Sequence, residues 1–207
     1  MSCLIPTCHA ENWIRVQDQF GHPIENAVVS QLIPATAVNT ATTEDSPIMD
    51  QINKQFNPHV LIINKGQQVS FPNSDDIRHH VYSFSDTKPF EIKLYKGRKG
   101  QPIAFDKSGI VVLGCNIHDQ MIGYIYVAEN ENAALTDKNG MVNLTHPATT
   151  INVWHPRLSA QSNLRETFEL EPLEKADYST ITLTLSTPKA IGKKKKFKPK
   201  KFGVDKD

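Results

Sequence analysis

No run of 18 apolar residues occurs in this chain of 207 residues, so no segment is long and apolar enough to cross a membrane as a helix. Helical periodicity is scarce as well. Most apolar segments are short, alternate with polar residues and are bounded by Gly, Pro, Asn or Asp, a pattern that argues against a helical bundle and for an all-β sandwich class. Charge of one sign does not dominate, since the formal net charge is +1. The charge is unevenly spread, because residues 190–207 hold eight Lys and two Asp, a net of +6 that leaves the rest near −5. That Lys-rich tail is too charged to bury, and no base-stacking module accompanies it, so nucleic-acid binding is not expected. It offers contact with anionic lipid or an acidic partner, or it is only a solubilising end.

Cysteine is limited to Cys3, Cys8 and Cys115. Residues 1–10 read as the tail of a secretory signal, with Cys8 and Ala10 as the small residues of a cleavage pattern before Glu11 and the true start further upstream. The alternative is a short terminus of a cytoplasmic protein. Cleavage after Ala10 would leave Cys115 alone. A lone thiol in an oxidising compartment is a reactive liability unless something, such as a metal, occupies it.

Cys115 opens the most informative stretch, Cys115-Asn116-Ile117-His118-Asp119-Gln120-Met121, a C-x2-H-x2-M spacing. Residues 110–114 before it read as a buried strand, and residues 122–127 after it as a second strand rich in β-branched and aromatic side chains. A short loop between two strands presents a thiolate, an imidazole and a thioether together. A second imidazole is available from His79 or His80, at the start of another expected strand. Two His, one Cys and a weak axial Met form the ligand set of a blue-copper centre. Zinc sites do not use Met, and calcium and magnesium take oxygen ligands. The bland alternative is a buried Cys and a core-filling Met beside a chance His.

With those residues in view, the chain resembles the cupredoxins, amicyanin and plastocyanin in particular. Amicyanin shares the C-x2-H-x2-M loop, and the upstream stretch matches the form Asn-x5-His-x-Val as Asn73, His79 and Val81. That register assigns the first imidazole to His79 and leaves His80 as the alternative. More closely, the chain is similar to the plastocyanin-like methylamine utilization proteins, which carry FPN…RHHVYSF and GCNIHDxM as here. The resemblance implies a Greek-key β-sandwich holding one type 1 copper through His79, Cys115, His118 and Met121. It also implies a periplasmic electron carrier with no enzymatic turnover, partnered by an amine dehydrogenase or a c-type cytochrome. Electrons are expected to leave through the edge of His118. His80 and Asn116 are expected to tie the two ligand loops together. Asp119 beside His118 either lowers the potential or is a solvated loop charge.

The expected strands cover 13–16, 27–32, 59–63, 68–71, 80–84, 90–94, 110–113, 123–127, 141–144, 150–154, 168–170 and 180–185. Residues 16–29 and 136–144 resemble the opening and a later hairpin of a carboxypeptidase regulatory-like, transthyretin-like sandwich, with Gly140 supplying a positive φ. These pieces flank the copper region. The expected organisation is therefore residues 11–45 and 130–188 as one small sandwich, with residues 46–129 as a cupredoxin inserted in it. Residues 1–10 and 189–207 lie outside both. The runner-up is three sequential pieces. His22, His146 and His155 fall in the expected outer sandwich, where Trp154-His155-Pro156-Arg157 is either a site or, as expected, a core Trp with a His marking a strand end; His59 is expected to have a structural or solvent role. Three functions follow: an electron carrier, a copper-binding or delivery module without redox turnover, or a structural sandwich with vestigial ligands. An enzyme of the nitrite-reductase kind is not expected, because the chain holds a single C-x2-H-x2-M loop.

Overall fold

The computed structural model describes residues 13–34, 46–97, 102–146, 148–161, 163–171 and 178–187. The expected signal remnant, with Cys3 and Cys8, and the Lys-rich tail lie outside the described residues.

All regular structure among the described residues is β. In chain order the strands begin with β1 (Trp13–Asp18), β2 (Val28–Leu32), β3 (Asp50–Ile52), β4 (Gln55–Asn57), β5 (Val60–Asn64) and β6 (Gln68–Val69). Next come β7 (His79–Ser83), β8 (Phe90–Tyr95), β9 (Ile103–Ala104), β10 (Gly109–Cys115) and β11 (Ile122–Ala128). The last are β12 (Glu131–Leu135), β13 (Met141–Asn143), β14 (Thr150–Trp154), β15 (Glu166–Glu169) and β16 (Ser179–Leu183).

A five-stranded sheet, β5-β11-β10-β7-β8, is drawn wholly from the middle of the chain. Two short pairs, β3-β4 and β6-β9, accompany it. Successive side chains along its strands point to opposite faces. Val81 on β7, Val111 and Leu113 on β10, and Ile125 and Val127 on β11 are fully buried. They pack with Met49, Phe56, Val69, Phe71 and Phe105 in one core, which also contains Cys115 and Met121.

The other two sheets join strands from both ends of the chain. β13-β1-β16 and β12-β2-β14-β15 each combine a strand before residue 33 with strands after residue 130. Their shared core is Ile14, Val16, Val29, Val142, Leu144, Ile151, Val153 and Leu183. The turn at Asp137 closes as expected, with Gly140 at φ 74° and its N–H donating to Asp137 O at 2.9 Å. The expected hairpin is corrected in one respect. The strands flanking that turn pair with different partners, β12 with β2 and β13 with β1, so the segment crosses between sheets. A third cluster joins the two halves: Val28 and Trp154 lie against Val60, Ile110, Tyr126 and Ala128.

Candidate metal centre

The register of β7 decides which histidine faces inward. The strand starts at His79, one residue earlier than expected, and its burial alternates so that His79 is fully buried and His80 half-buried. β7 pairs antiparallel with β10, with Val81 opposite Cys115. That pairing brings the start of one strand to the end of the other, although His79 and Cys115 are 36 residues apart. His79 Nδ1 lies 3.7 Å from Cys115 Sγ, and His118 Nδ1 lies 3.9 Å from it. The two imidazole rings are 5.0 Å apart at a tilt of 57°. Ligand atoms of His79, Cys115 and His118 all lie within 4.8 Å of one another, and among the described residues this is the one cluster of three or more His, Cys, Asp or Glu groups able to hold an ion.

The ligand loop is a tight turn. Met121 N–H donates to His118 O at 2.9 Å, which returns the chain into β11. Cys115 and Met121 are 3% and 1% exposed, while His118 is half-buried. Met121 therefore sits in the same core as Cys115, and both line a surface cleft of about 410 Å³ with Tyr82, Phe84, Gly114, Asp119 and Ile122. Asp119 and Asn116 are exposed. A buried cysteine sulfur flanked by two imidazoles, with a thioether in the same core, is a soft and borderline donor set that fits copper.

The expected tie between His80 and Asn116 is corrected. His80 points away from the cluster: its Nε2 lies 2.9 Å from Glu91 Oε1 without forming a hydrogen bond, and its ring packs on Tyr82. The alternation of β7 forces this, because consecutive side chains face opposite sides of the sheet.

The first ligand loop is held instead by groups that sequence reasoning did not assign. Asn73 Nδ2 donates to Ile77 O and Tyr95 O at 2.9 and 2.8 Å, and its Oδ1 accepts from Asp75 N–H at 3.0 Å. Buried Gln51 donates from Nε2 to Pro72 O at 2.8 Å and also to Tyr95 Oη. Tyr95 Oη in turn donates to Phe71 O at 2.7 Å. Burial pushes the Tyr95 hydroxyl up to about 12, against the Gln51 hydrogen bond and with help from Asp50 and Cys115. Asp50 accepts from Ser74 N–H and Oγ–H.

Asp75 is the closest of these groups to the cluster. His79 Nε2 lies 2.7 Å from Asp75 Oδ2, and the same carboxylate accepts the N–H groups of Asn53 and Lys54 at 2.6 and 2.9 Å. Burial alone would raise its pKa. The donors from Lys54, His79 and Asn53 outweigh that and hold the carboxyl below the usual range. A carboxylate four residues before a candidate ligand was the only sequence signal for it.

The other described histidines are outside this cluster. His59 packs edge-on against Tyr124 at 5.4 Å. Burial pushes His155 down to about 4, with Arg157 and His59 adding to the effect. His22 is exposed and paired with Asp18 at 3.2 Å.

No family model matches the sequence, and no curated protein matches it. Among solved structures, the chain is similar to a Cu-containing nitrite reductase from Thermus scotoductus SA-01 at 29% identity, over 48% of this chain and 27% of that one, with a TM-score of 0.39. It is similar to a purple cupredoxin from Nitrosopumilus maritimus at 21% identity, over 41% of this chain and all of that one, with a TM-score of 0.35. It is also similar to an amicyanin variant in its reduced state, at 17% identity over 48% of this chain and 98% of that one, with a TM-score of 0.37. The match thus spans about a quarter of the nitrite reductase and nearly all of the two smaller proteins.

Proposed function

We propose that this protein is a blue-copper electron carrier with one type 1 copper held by His79, Cys115, His118 and Met121. The observation that carries the reading is the meeting of His79, Cys115 and His118 within 4.8 Å, from the start of β7, the end of β10 and the loop that follows it. Copper bound there supplies one-electron exchange between Cu(I) and Cu(II), with thiolate and thioether favouring the reduced ion and imidazole accepting both. His79 and Cys115 are anchored at facing strand ends, so they need little rearrangement between the two states. The burial of Cys115 keeps solvent from its sulfur.

His118 is the ligand nearest to solvent, and Ile117 next to it in the loop is 48% exposed. In this reading a redox partner docks over that face and takes the electron through the His118 ring. An amine dehydrogenase as donor and a c-type cytochrome as acceptor, and a periplasmic setting, rest on the resemblance to methylamine utilization proteins. The carboxypeptidase regulatory-like identity of the outer sheets, and the reading of residues 46–129 as an inserted domain, are proposals of the same kind.

A copper delivery module is the second reading. The half-buried state of His118 favours it to the extent that an exposed ligand eases metal exchange. The two separate in one experiment on copper-loaded protein. Rapid, reversible reduction and reoxidation with no loss of metal to a competing chelator supports the carrier. Slow redox with ready transfer of Cu(I) to the chelator supports delivery and overturns the carrier.

A further inference from the structure

We infer that Asp75 is a positioning residue of the metal centre, holding the His79 ring so that Nδ1 faces Cys115 and stabilising the oxidised ion through its charge. This rests on the copper reading above. A carboxylate can only accept hydrogen bonds, so at 2.7 Å the His79 Nε2 must carry the proton. In the neutral ring this makes Nδ1, which lies 3.7 Å from Cys115 Sγ, the nitrogen that carries the lone pair. Turning the ring over would break the Nε2 bond inside a fully buried setting, where a lost charge-assisted partner is costly.

The carboxylate is itself fixed. Asn53 N–H and Lys54 N–H donate to its two oxygens, and its own N–H is held by Asn73 Oδ1. Asn53 and Lys54 form the turn of the β3–β4 hairpin, at φ 55° and 60°. Asp75 therefore links that hairpin to the first imidazole. Carboxylate–histidine pairs of this kind fix the tautomer and raise the basicity of a ligating nitrogen.

The test uses the full-length chain with Asp75→Asn, Asp75→Ala and, as a charge control, Asp76→Asn. Asp76 is fully exposed and only loosely paired with Lys96 at 3.5 Å. In metal-free protein, nitrogen-15 NMR of the wild type is expected to show His79 as the Nε2–H tautomer with a slowly exchanging ring proton. That proton should exchange rapidly in Asp75→Ala, or in Asp75→Asn if the alanine variant does not fold. In copper-loaded protein, Asp75→Asn should lower affinity by about 10–100-fold and raise the reduction potential. Asp76→Asn should do neither. The inference is overturned if His79 is the Nδ1–H tautomer, if Asp75→Asn leaves affinity and potential unchanged, or if Asp76→Asn shifts them as much. If the wild type takes up no copper, the copper reading itself fails, and the tautomer measurement still decides the Asp75–His79 pairing.

Discussion

Phe56 occupies the space that a side chain on Gly123 would need. A Cβ built on Gly123 would lie 2.7 Å from Phe56 Cβ and 2.9 Å from its Cγ. Phe56 belongs to the β3–β4 hairpin and Gly123 is the second residue of β11, so this contact seats the hairpin on the strand that follows the ligand loop. The obstructing atoms are at the root of a buried side chain, where no rotamer change relieves them.

Gly123→Ala is therefore expected to destabilise the protein by about 1–3 kcal/mol, the usual range for overpacking. Gly114→Ala serves as the comparison. There the Cβ would meet Tyr82 at 2.7–3.0 Å, but only at the far end of its half-buried ring, away from the strand backbone. Urea unfolding of the two variants should show a clearly larger loss for Gly123→Ala; equal losses would contradict the account.

Acid should weaken the fold through His155. Its folded pKa is about 4, against roughly 6.5 in the unfolded chain. Between those values the unfolded state holds more protons, so stability rises with pH. The contribution is full above about pH 6.5 and is lost as pH falls towards 4, by at most about 3 kcal/mol. Denaturation of metal-free protein across this window should be less pH-dependent in His155→Asn, whose side-chain oxygen still accepts from Arg157 N–H as Nδ1 does at 3.2 Å.

Glu131 is 8% exposed and is held by Arg165 and by Tyr126 Oη, each at 2.6 Å, with Arg165 also stacked over the Tyr126 ring at 4.6 Å. Removing the cation leaves a nearly buried carboxylate unpaired. Arg165→Met should cost about 2–4 kcal/mol, and adding Glu131→Gln should recover part of that loss. Denaturant midpoints of the single and double variants measure it. An Arg165→Met variant as stable as the wild type would refute this role.

Residues 46–129 expressed alone are expected to fold and bind one copper, at reduced stability. The five-stranded sheet and its core come from this segment. Excision uncovers Val60, Ile110 and Tyr126, which Val28 and Trp154 otherwise cover. It also removes the Glu131 partner of Tyr126. A segment that neither folds nor binds metal would show that the outer sheets are part of the same folding unit.

The parts legible in the sequence were those with strong local patterns. β10 and β11 stood out because apolar, β-branched runs bracket C-x2-H-x2-M, and the approach of Cys115 and His118 to each other followed from that spacing. The β3–β4 hairpin was not legible. Its sequence is polar, and its turn is Asn53-Lys54, where an Asn-Gly pair would have signalled a hairpin. Lys54 at positive φ is disfavoured by about 1–2 kcal/mol, which the distant Asp75 offsets by accepting both turn amides. β12 was missed because Glu, Asn and Ala have weak strand preference; its pairing with β2 is a tertiary effect. The choice between His79 and His80 turned on where β7 begins, and a one-residue shift exchanges the two faces.

The most direct test of the account is a titration of copper(II) into the purified chain, followed by visible absorption, with Cys115→Ser measured alongside. The account predicts an intense thiolate-to-copper band that saturates at one equivalent in the wild type and is absent from Cys115→Ser. A wild-type chain that develops no such band, or a band that survives in Cys115→Ser, would contradict it.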